Sequence, residues 1–295
     1  MLRKKPKWMQ KTLAIFWKVM FWLFVCAITI HVVFPFYWTV ISAFKSDDQL
    51  AMTPATLLPI NPIEGGISFS FDNFHLVLSN PLFYRALFNS LVVSVLTVFF
   101  SGMFGSFAAF ALGKLRFRGR KPALLIILSM TMFPQIAVLT GLYSIIRVLG
   151  IPAIPSMITT YQLFALPFII WILTSYFRGL PDSLFQAAQV DGATMMQSFW
   201  YILLPLTMPA LATTGLLGFI ACWNEYLFAL TFSAVEPQAR TVTVAIANFG
   251  GTIPHHIPFG EIMAAAVIVT VPLVVMVFFF QKRIISGLTA GSVKE

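Results

Sequence analysis

The stretch QAAQVDGATMMQSFWYILLPLTMP, residues 186–209, lies between two long apolar runs. It is too polar to be a simple membrane span and too apolar to be an ordinary linker. Asp191 and Gly192 predict a turn in its first half, since glycine accepts the positive φ that other residues avoid. A first short helix is expected before this turn, with Asp182 accepting hydrogen bonds from the free amides at its start. A second short helix is expected at 194–203, ahead of the next span.

The rest of the chain has the composition of a membrane protein. It is 295 residues long, 59% hydrophobic and only 10% charged, whereas soluble domains carry about 25% charged residues. A helix needs about 20 apolar residues to cross the hydrocarbon core. Six uncharged runs are long enough to hold one span each: 19–44, 86–113, 122–146, 148–177, 192–224 and 262–281. The fifth run is longer than one span requires, because it includes the second half of the opening stretch. The runs lack the alternation of lipid-facing strands, so the predicted fold is all-α.

Lysine and arginine are distributed unevenly between the predicted connections. Most of the 19 fall in the two terminal segments and the second and fourth connections. Because these cations resist translocation, that side is expected to be cytoplasmic, with both chain ends inside. The predicted regions are a basic cytoplasmic N-terminus (1–18), a six-span region (19–281) with an external loop (45–85) and a cytoplasmic loop (178–207), and a cytoplasmic tail (282–295). This distribution explains the net charge of +9 without a nucleic-acid partner.

The sequence offers no catalytic constellation. His31 is the only histidine inside a predicted span, and no acid lies near a span centre, so neither a metal site nor a catalytic or ion-coupling carboxylate is expected. The nucleotide-binding pattern GxxxxGK[ST] is also absent, because Gly113-Lys114 is followed by Leu115 and Ala108 stands where the first glycine is needed. We therefore expect a non-catalytic transport subunit without a cofactor. Any ATP is then handled by another subunit.

Three stretches together resemble the binding-protein-dependent ABC importer permeases. QAAQVDGATMMQSFWYILLPLTMP is similar to their cytoplasmic loop, whose pattern is Glu-Ala-Ala, three residues, Gly, and an apolar stretch ending in Pro. ACWNEYLFAL (221–230) and MAAAVIVTVPLVVMVFFFQKRIISGLTAGSVKE (263–295) resemble the carbohydrate branch, in particular the smaller permease of maltose-type transporters. The resemblance extends from about residue 85 to the end. It implies a type I importer permease fold in a prokaryotic inner membrane.

The resemblance also implies roles for two groups of residues. In this family the loop is a coupling helix that docks in a cleft of the ATPase, which assigns docking to Gln186, Ala187, Ala188, Asp191, Gly192 and Ala193. Gln186 stands where the family usually has glutamate, so the side chain keeps its size but loses its charge. The end of maltose-type permeases reaches the ATPase dimer interface, which assigns that contact to Leu288, Thr289, Ala290, Gly291, Ser292 and Val293.

A substrate path is expected at the outer end of the fifth span. Trp223, Asn224 and Glu225 combine an aromatic ring, an amide and a carboxylate, which can stack on a sugar and hydrogen-bond to it. An interfacial tryptophan anchor followed by a cap at the end of the span explains the same three residues at least as well. In maltose-type systems the main sugar site lies chiefly in the larger permease.

The sequence therefore predicts one transmembrane subunit of an ATP-driven, binding-protein-dependent importer of an oligosaccharide or related carbohydrate, working by alternating access. The expected partners are a homologous second permease, two ATPase subunits that bind ATP and Mg, an extracytoplasmic solute-binding protein, the carbohydrate and membrane lipid, and no nucleic acid. Two alternatives are open. One is an ion-coupled secondary transporter or channel, and the other is a permease of the same family for glycerol phosphate or an acidic sugar.

Overall fold

The computed structural model describes residues 7–249 and 258–290, with side chains at 13–249 and 258–281. These residues form two compact units, 7–77 with 258–267 and 78–249 with 268–290. Within the described ranges the regular elements are all helices, which confirms the all-α prediction.

The first unit joins a long apolar helix to an ordered loop. Helix α1 (Lys7–Ala43) is followed by the short helices α2 (Asp47–Leu50) and α3 (Asp72–Leu78). Lys45 is buried just beyond α1, where its Nζ lies 4.8 Å from the centroid of the Trp38 ring. Asn73 donates to the carbonyls of Ala43 (3.1 Å) and Lys45 (2.7 Å). These hydrogen bonds hold α3 against the end of α1.

The second unit contains the remaining elements, apart from the first part of α13. In chain order they are α4 (Pro81–Lys114), α5 (Arg120–Met130), α6 (Gln135–Leu149), α7 (Ala153–Gly179), α8 (Asp182–Val190), α9 (Met195–Ser198), a π-helical turn (Phe199–Leu203), α10 (Leu204–Trp223), α11 (Leu227–Ser233), a 3-10 turn (Pro237–Ala239), α12 (Val242–Phe249) and α13 (Phe259–Ala290). Helix α13 begins in the first unit and continues into the second.

Helices α4, α7 and α10 pack against one another and form the centre of the second unit. Glycines allow α4 and α7 to approach closely: a Cβ on Gly113 would lie 2.6 Å from Cβ of Phe177, and one on Gly105 would lie 2.8 Å from Cγ2 of Ile169. Small residues permit this kind of contact between membrane helices. Gln162 of α7 adds a hydrogen bond between the helices by donating to the carbonyl of Thr97 at 3.1 Å.

Among the described residues, five helices are long and apolar enough to cross a membrane, and the number is six when α5 and α6 count as one broken span. This pair corresponds to the predicted span 122–146, but it bends by 90° instead of running straight. The break lies at 131–134, where Pro134 lacks an amide and restricts the residue before it. The helix bounds also differ elsewhere, since α4 begins at Pro81, behind the cap Asn80, and α7 begins only at Ala153.

Candidate coupling site and substrate path

The predicted turn lies between α8 and α9. Gly192 has a φ of 84°. Its N–H donates to the carbonyl of Gln189 at 3.1 Å, and the N–H of Ala193 donates to the carbonyl of Ala188 at 2.9 Å. This pair of hydrogen bonds is the Schellman motif, which ends helices at a residue with positive φ. No described atom lies within 4 Å of a Cβ built at Gly192, so backbone conformation and not crowding explains the glycine.

The segment after the turn differs from the prediction. Thr194 caps α9 in a reciprocal box with Gln197, whose N–H donates to Oγ1 of Thr194 at 3.2 Å. Helix α9 then passes through the π-helical turn directly into α10. The second short helix expected at 194–203 is therefore the beginning of a helix that continues to Trp223.

An aromatic cluster fixes this hairpin, residues 182–203, to helices α4 and α7. Phe199 of the π-helical turn is fully buried. Its ring centroid lies 5.0 Å from that of Phe107 and 5.1 Å from that of Phe110, both in α4, and 6.3 Å from that of Phe177 in α7. Phe185 of α8 lies 6.1 Å from Phe110. Both arms of the hairpin therefore contact the same buried surface.

An ion pair adds a second attachment at the start of the hairpin. Nζ of Lys114, at the end of α4, lies 2.7 Å from Oδ1 of Asp182 and also donates to the carbonyl of Leu180. This hydrogen bond and the charge of Lys114 hold the pKa of Asp182 below its usual value. The expectation that Asp182 caps the amides of α8 is wrong, because its carboxylate turns toward the lysine and makes no capping hydrogen bond.

The six predicted docking residues lie together on the hairpin but differ in exposure. Five of them are at the surface, with Ala193 half-buried and the others exposed: Gln186, Ala187, Asp191, Gly192 and Ala193. Ala188 is only 4% exposed. Its methyl group therefore faces the interior of the chain.

The predicted tail contact falls at the end of α13. The helix continues to Ala290, so Leu288, Thr289 and Ala290 are its last residues. Gly291, Ser292 and Val293 lie outside the described residues.

The three residues of the predicted substrate path do not form an open cluster. The carboxylate of Glu225 is buried and accepts three hydrogen bonds: from the hydroxyl of Tyr161 (2.6 Å) and the amides of Phe228 (2.9 Å) and Ala229 (3.0 Å). Trp223 is also buried, and only Asn224 is exposed. Glu225 therefore caps amides in the first turn of α11 from a position two residues before that helix begins, and its hydrogen bond with Tyr161 ties α11 to α7.

Sequence reasoning missed α11, α12 and the broken third span. A cavity of about 260 Å³ lies at that break, lined by Thr131, Phe133 and Gln135 together with Phe164 and Phe228. Interrupted spans line substrate cavities in many transporters. The Phe-Pro pair at 133–134 is the one sequence signal of the break, and Glu225 before the apolar residues 227–232 is the signal of α11.

Comparison with known proteins places this geometry in a family. The model of the family described as binding-protein-dependent transport system inner membrane component matches residues 101–289. The trehalose/maltose transport system permease protein MalG of Thermococcus litoralis is 39% identical, over 88% of this chain and 91% of its own length. The trehalose transport system permease protein SugB of Mycobacterium tuberculosis is 37% identical, over 88% of this chain and 97% of its own length. The sulfoquinovosyl glycerol transport system permease protein SmoH of Agrobacterium fabrum is 31% identical, over 88% of each chain.

Solved structures show the same fold. A chain in the crystal structure of a bacterial ABC transporter involved in the import of the acidic polysaccharide alginate superposes with a TM-score of 0.76 at 22% identity, covering 90% of this chain and 96% of that one. A chain of the MetNI methionine ABC transporter superposes with a TM-score of 0.55 at 19% identity, covering 70% of this chain and 96% of that one. The predicted type I importer permease fold is confirmed. The chain belongs to the family of binding-protein-dependent transport system inner membrane components, as a multi-pass and non-catalytic permease subunit.

Proposed function

We propose that this permease imports an oligosaccharide or related carbohydrate and is driven through the hairpin by a separate ATPase. The relatives named for trehalose and maltose are 37% and 39% identical over 88% of the chain, which supports a sugar of this kind ahead of glycerol phosphate or an acidic sugar. The family match does not favour an ion-coupled transporter or channel.

The coupling role rests on one observation: the hairpin is exposed on its outer side and packed against α4 and α7 on its inner side. Its outer surface presents Gln186, Ala187 and Asp191, while Phe199 and the Lys114–Asp182 pair attach it to α4 and α7. A loop attached in this way transmits displacement to the spans instead of absorbing it. We place the hairpin and both chain ends on the cytoplasmic side, because the cations are concentrated there.

The proposed assembly has two permeases, two ATPases and one binding protein. Half of a translocation pathway cannot close around a solute, so a homologous second permease completes it. ATP and Mg bind to the ATPase pair, whose closure rocks the two permeases between inward and outward access. The binding protein delivers the sugar from outside.

Crosslinking from adjacent alanines tests the docking surface. In the assembled transporter lacking Cys26 and Cys222, we expect Ala187→Cys to crosslink to the ATPase several-fold more than Ala188→Cys, since Ala187 is exposed and Ala188 is buried. The readout is mass spectrometry of the crosslinked peptides, with vanadate-sensitive sugar uptake measured in parallel. Equal crosslinking from both positions, or labelling of Ala187→Cys from outside intact cells, would contradict the proposal.

Deleting 288–295 tests the proposed contact of the tail with the ATPase. We expect more ATP hydrolysed per sugar imported, while the ATPase still copurifies with the permease, because the hairpin is left intact. Deletion of 294–295 alone is the control and should change neither quantity. Normal transport by the longer deletion would show that the tail does not contribute to coupling.

A further inference from the structure

A positively charged pocket of about 780 Å³ lies at the turn between α4 and α5, beside the end of α7. Five of its lining residues are cations: Arg116, Arg118, Arg120, Lys121 and Arg178. Gly119, with a φ of 98°, lies in the turn between Arg118 and the start of α5. None of the lining residues belongs to the proposed docking surface of the hairpin.

Most of this charge has no protein partner. Arg120 donates through Nη2 to the carbonyl of Gly113 at 3.2 Å and so caps the end of α4. The charges of Arg116 and Arg120 act on Asp182 at a distance, but the ion pair of Asp182 is with Lys114. Within the part of the chain that the structure describes, the other four cations lining the pocket, Arg116, Arg118, Lys121 and Arg178, are exposed and have no carboxylate within 4.0 Å. Like charges at this density repel one another unless an anion lies between them.

The position and the remaining lining favour a phospholipid as that anion. Helices α4 and α7, which are long enough to span, end at the pocket, so it lies at the level of the headgroups. Phe117 stands between two of the arginines and is 47% exposed, as expected of an aromatic ring at the membrane interface. The planar guanidinium group matches phosphate oxygens with two parallel hydrogen bonds. Helix α5 also begins here without a side-chain cap, which adds positive potential from its free amides.

We propose that this pocket binds the headgroup of an anionic phospholipid of the cytoplasmic leaflet, held by Arg116, Arg118 and Arg178, with Phe117 against the acyl chains. The proposal rests on the proposed function only for the choice of leaflet. Basic pockets beside membrane helices on this side bind anionic headgroups in general.

Lipid binding to the purified transporter tests this directly. Native mass spectrometry would follow titration with dioleoyl phosphatidylglycerol, dioleoyl phosphatidylcholine and inorganic phosphate, without ATP or sugar. We expect selective binding of phosphatidylglycerol, weakened roughly thirtyfold in the double variant Arg116→Gln/Arg118→Gln. The matched control, Arg85→Gln/Arg147→Gln, removes two exposed cations elsewhere and should bind within about twofold of wild type.

A second variant keeps the test decisive, because Arg116 and Arg118 also contribute to membrane orientation. Phe117→Ala retains every charge. It should weaken the binding of phosphatidylglycerol several-fold and leave the binding of inorganic phosphate unchanged. Equal binding of the two lipids, or equal losses in the pocket and control variants, would overturn the proposal. Displacement of the lipid by inorganic phosphate at similar concentration would also overturn it, by assigning the site to a free anion. Transport is not measured here, so failure of this proposal is distinct from failure of the proposed function.

Discussion

Gly113→Ala is expected to destabilise the folded chain by about 2 kcal/mol, the typical cost of overpacking a closed contact. The new methyl group would lie 2.6 Å from Cβ of Phe177 and 3.4 Å from the carbonyl oxygen of Thr174. Neither atom is the free end of a flexible side chain, so relief requires α4 and α7 to separate. Thermal unfolding in detergent, followed by circular dichroism, measures the loss.

Two other glycines of the chain provide a graded comparison for this prediction. At Gly105 a Cβ would meet Cγ2 of Ile169 at 2.8 Å, and rotation of that side chain can relieve part of the contact. At Gly141 no described atom lies within 4 Å, so alanine should be neutral or stabilise α6 by up to about 1 kcal/mol. Stability should fall in the order Gly141→Ala, Gly105→Ala, Gly113→Ala. Equal stability of the three variants would mean that the close approach of α4 and α7 is not required.

Glu225→Ala is expected to lower the free energy of unfolding by about 3 kcal/mol or more, because each buried donor left without an acceptor costs about 1–3 kcal/mol of stability. The variant leaves three such donors, on Tyr161, Phe228 and Ala229. Glu225→Gln keeps an acceptor oxygen and the side-chain volume, so it should lose clearly less. Unfolding in detergent is again the measurement.

Sugar uptake separates this structural role from a role in the substrate path. Tyr161→Phe removes one donor and keeps the ring, so it should give a smaller loss of stability in the same direction. Glu236→Ala alters an exposed acid whose carboxylate accepts a single hydrogen bond among the described residues, from the amide of Ala153 at 3.4 Å, and it should change stability little. If Glu225→Ala were as stable as wild type yet inactive in uptake, the carboxylate would serve the sugar and not the fold.

The sequence predicted features that depend on local signals. Gly192 imposes its turn through its own φ, and the following Thr194 caps the next helix through a residue three positions away. Apolar runs of sufficient length predicted the spans in the same way, because the bilayer sets one length for all of them. The position of the hairpin could therefore be derived without knowledge of the packing.

Features that depend on distant partners could not be predicted. Glu225 accepts from Tyr161, 64 residues earlier in the chain, and Asp182 pairs with Lys114, 68 residues away. Nothing adjacent in sequence distinguishes such a carboxylate from one that faces solvent. The same holds for Ala188, whose burial depends on α8 packing against the elements that follow the turn. The bend between α5 and α6 was missed because the run 122–146 contains no charged residue, so only Pro134 signals the break.

The continuity of the π-helical turn with its neighbours has a mechanical consequence. The 29 residues from Met195 to Trp223 form one continuous helical segment, roughly 44 Å long at about 1.5 Å per residue. If the segment rotated by about 10° about its Met195 end, its Trp223 end would move by roughly 8 Å. Glu225, two residues beyond Trp223, accepts a hydrogen bond from Tyr161 of α7, so the displacement would be transmitted to α7. A small rotation at one end of this span would therefore produce a displacement of several ångströms at the other end.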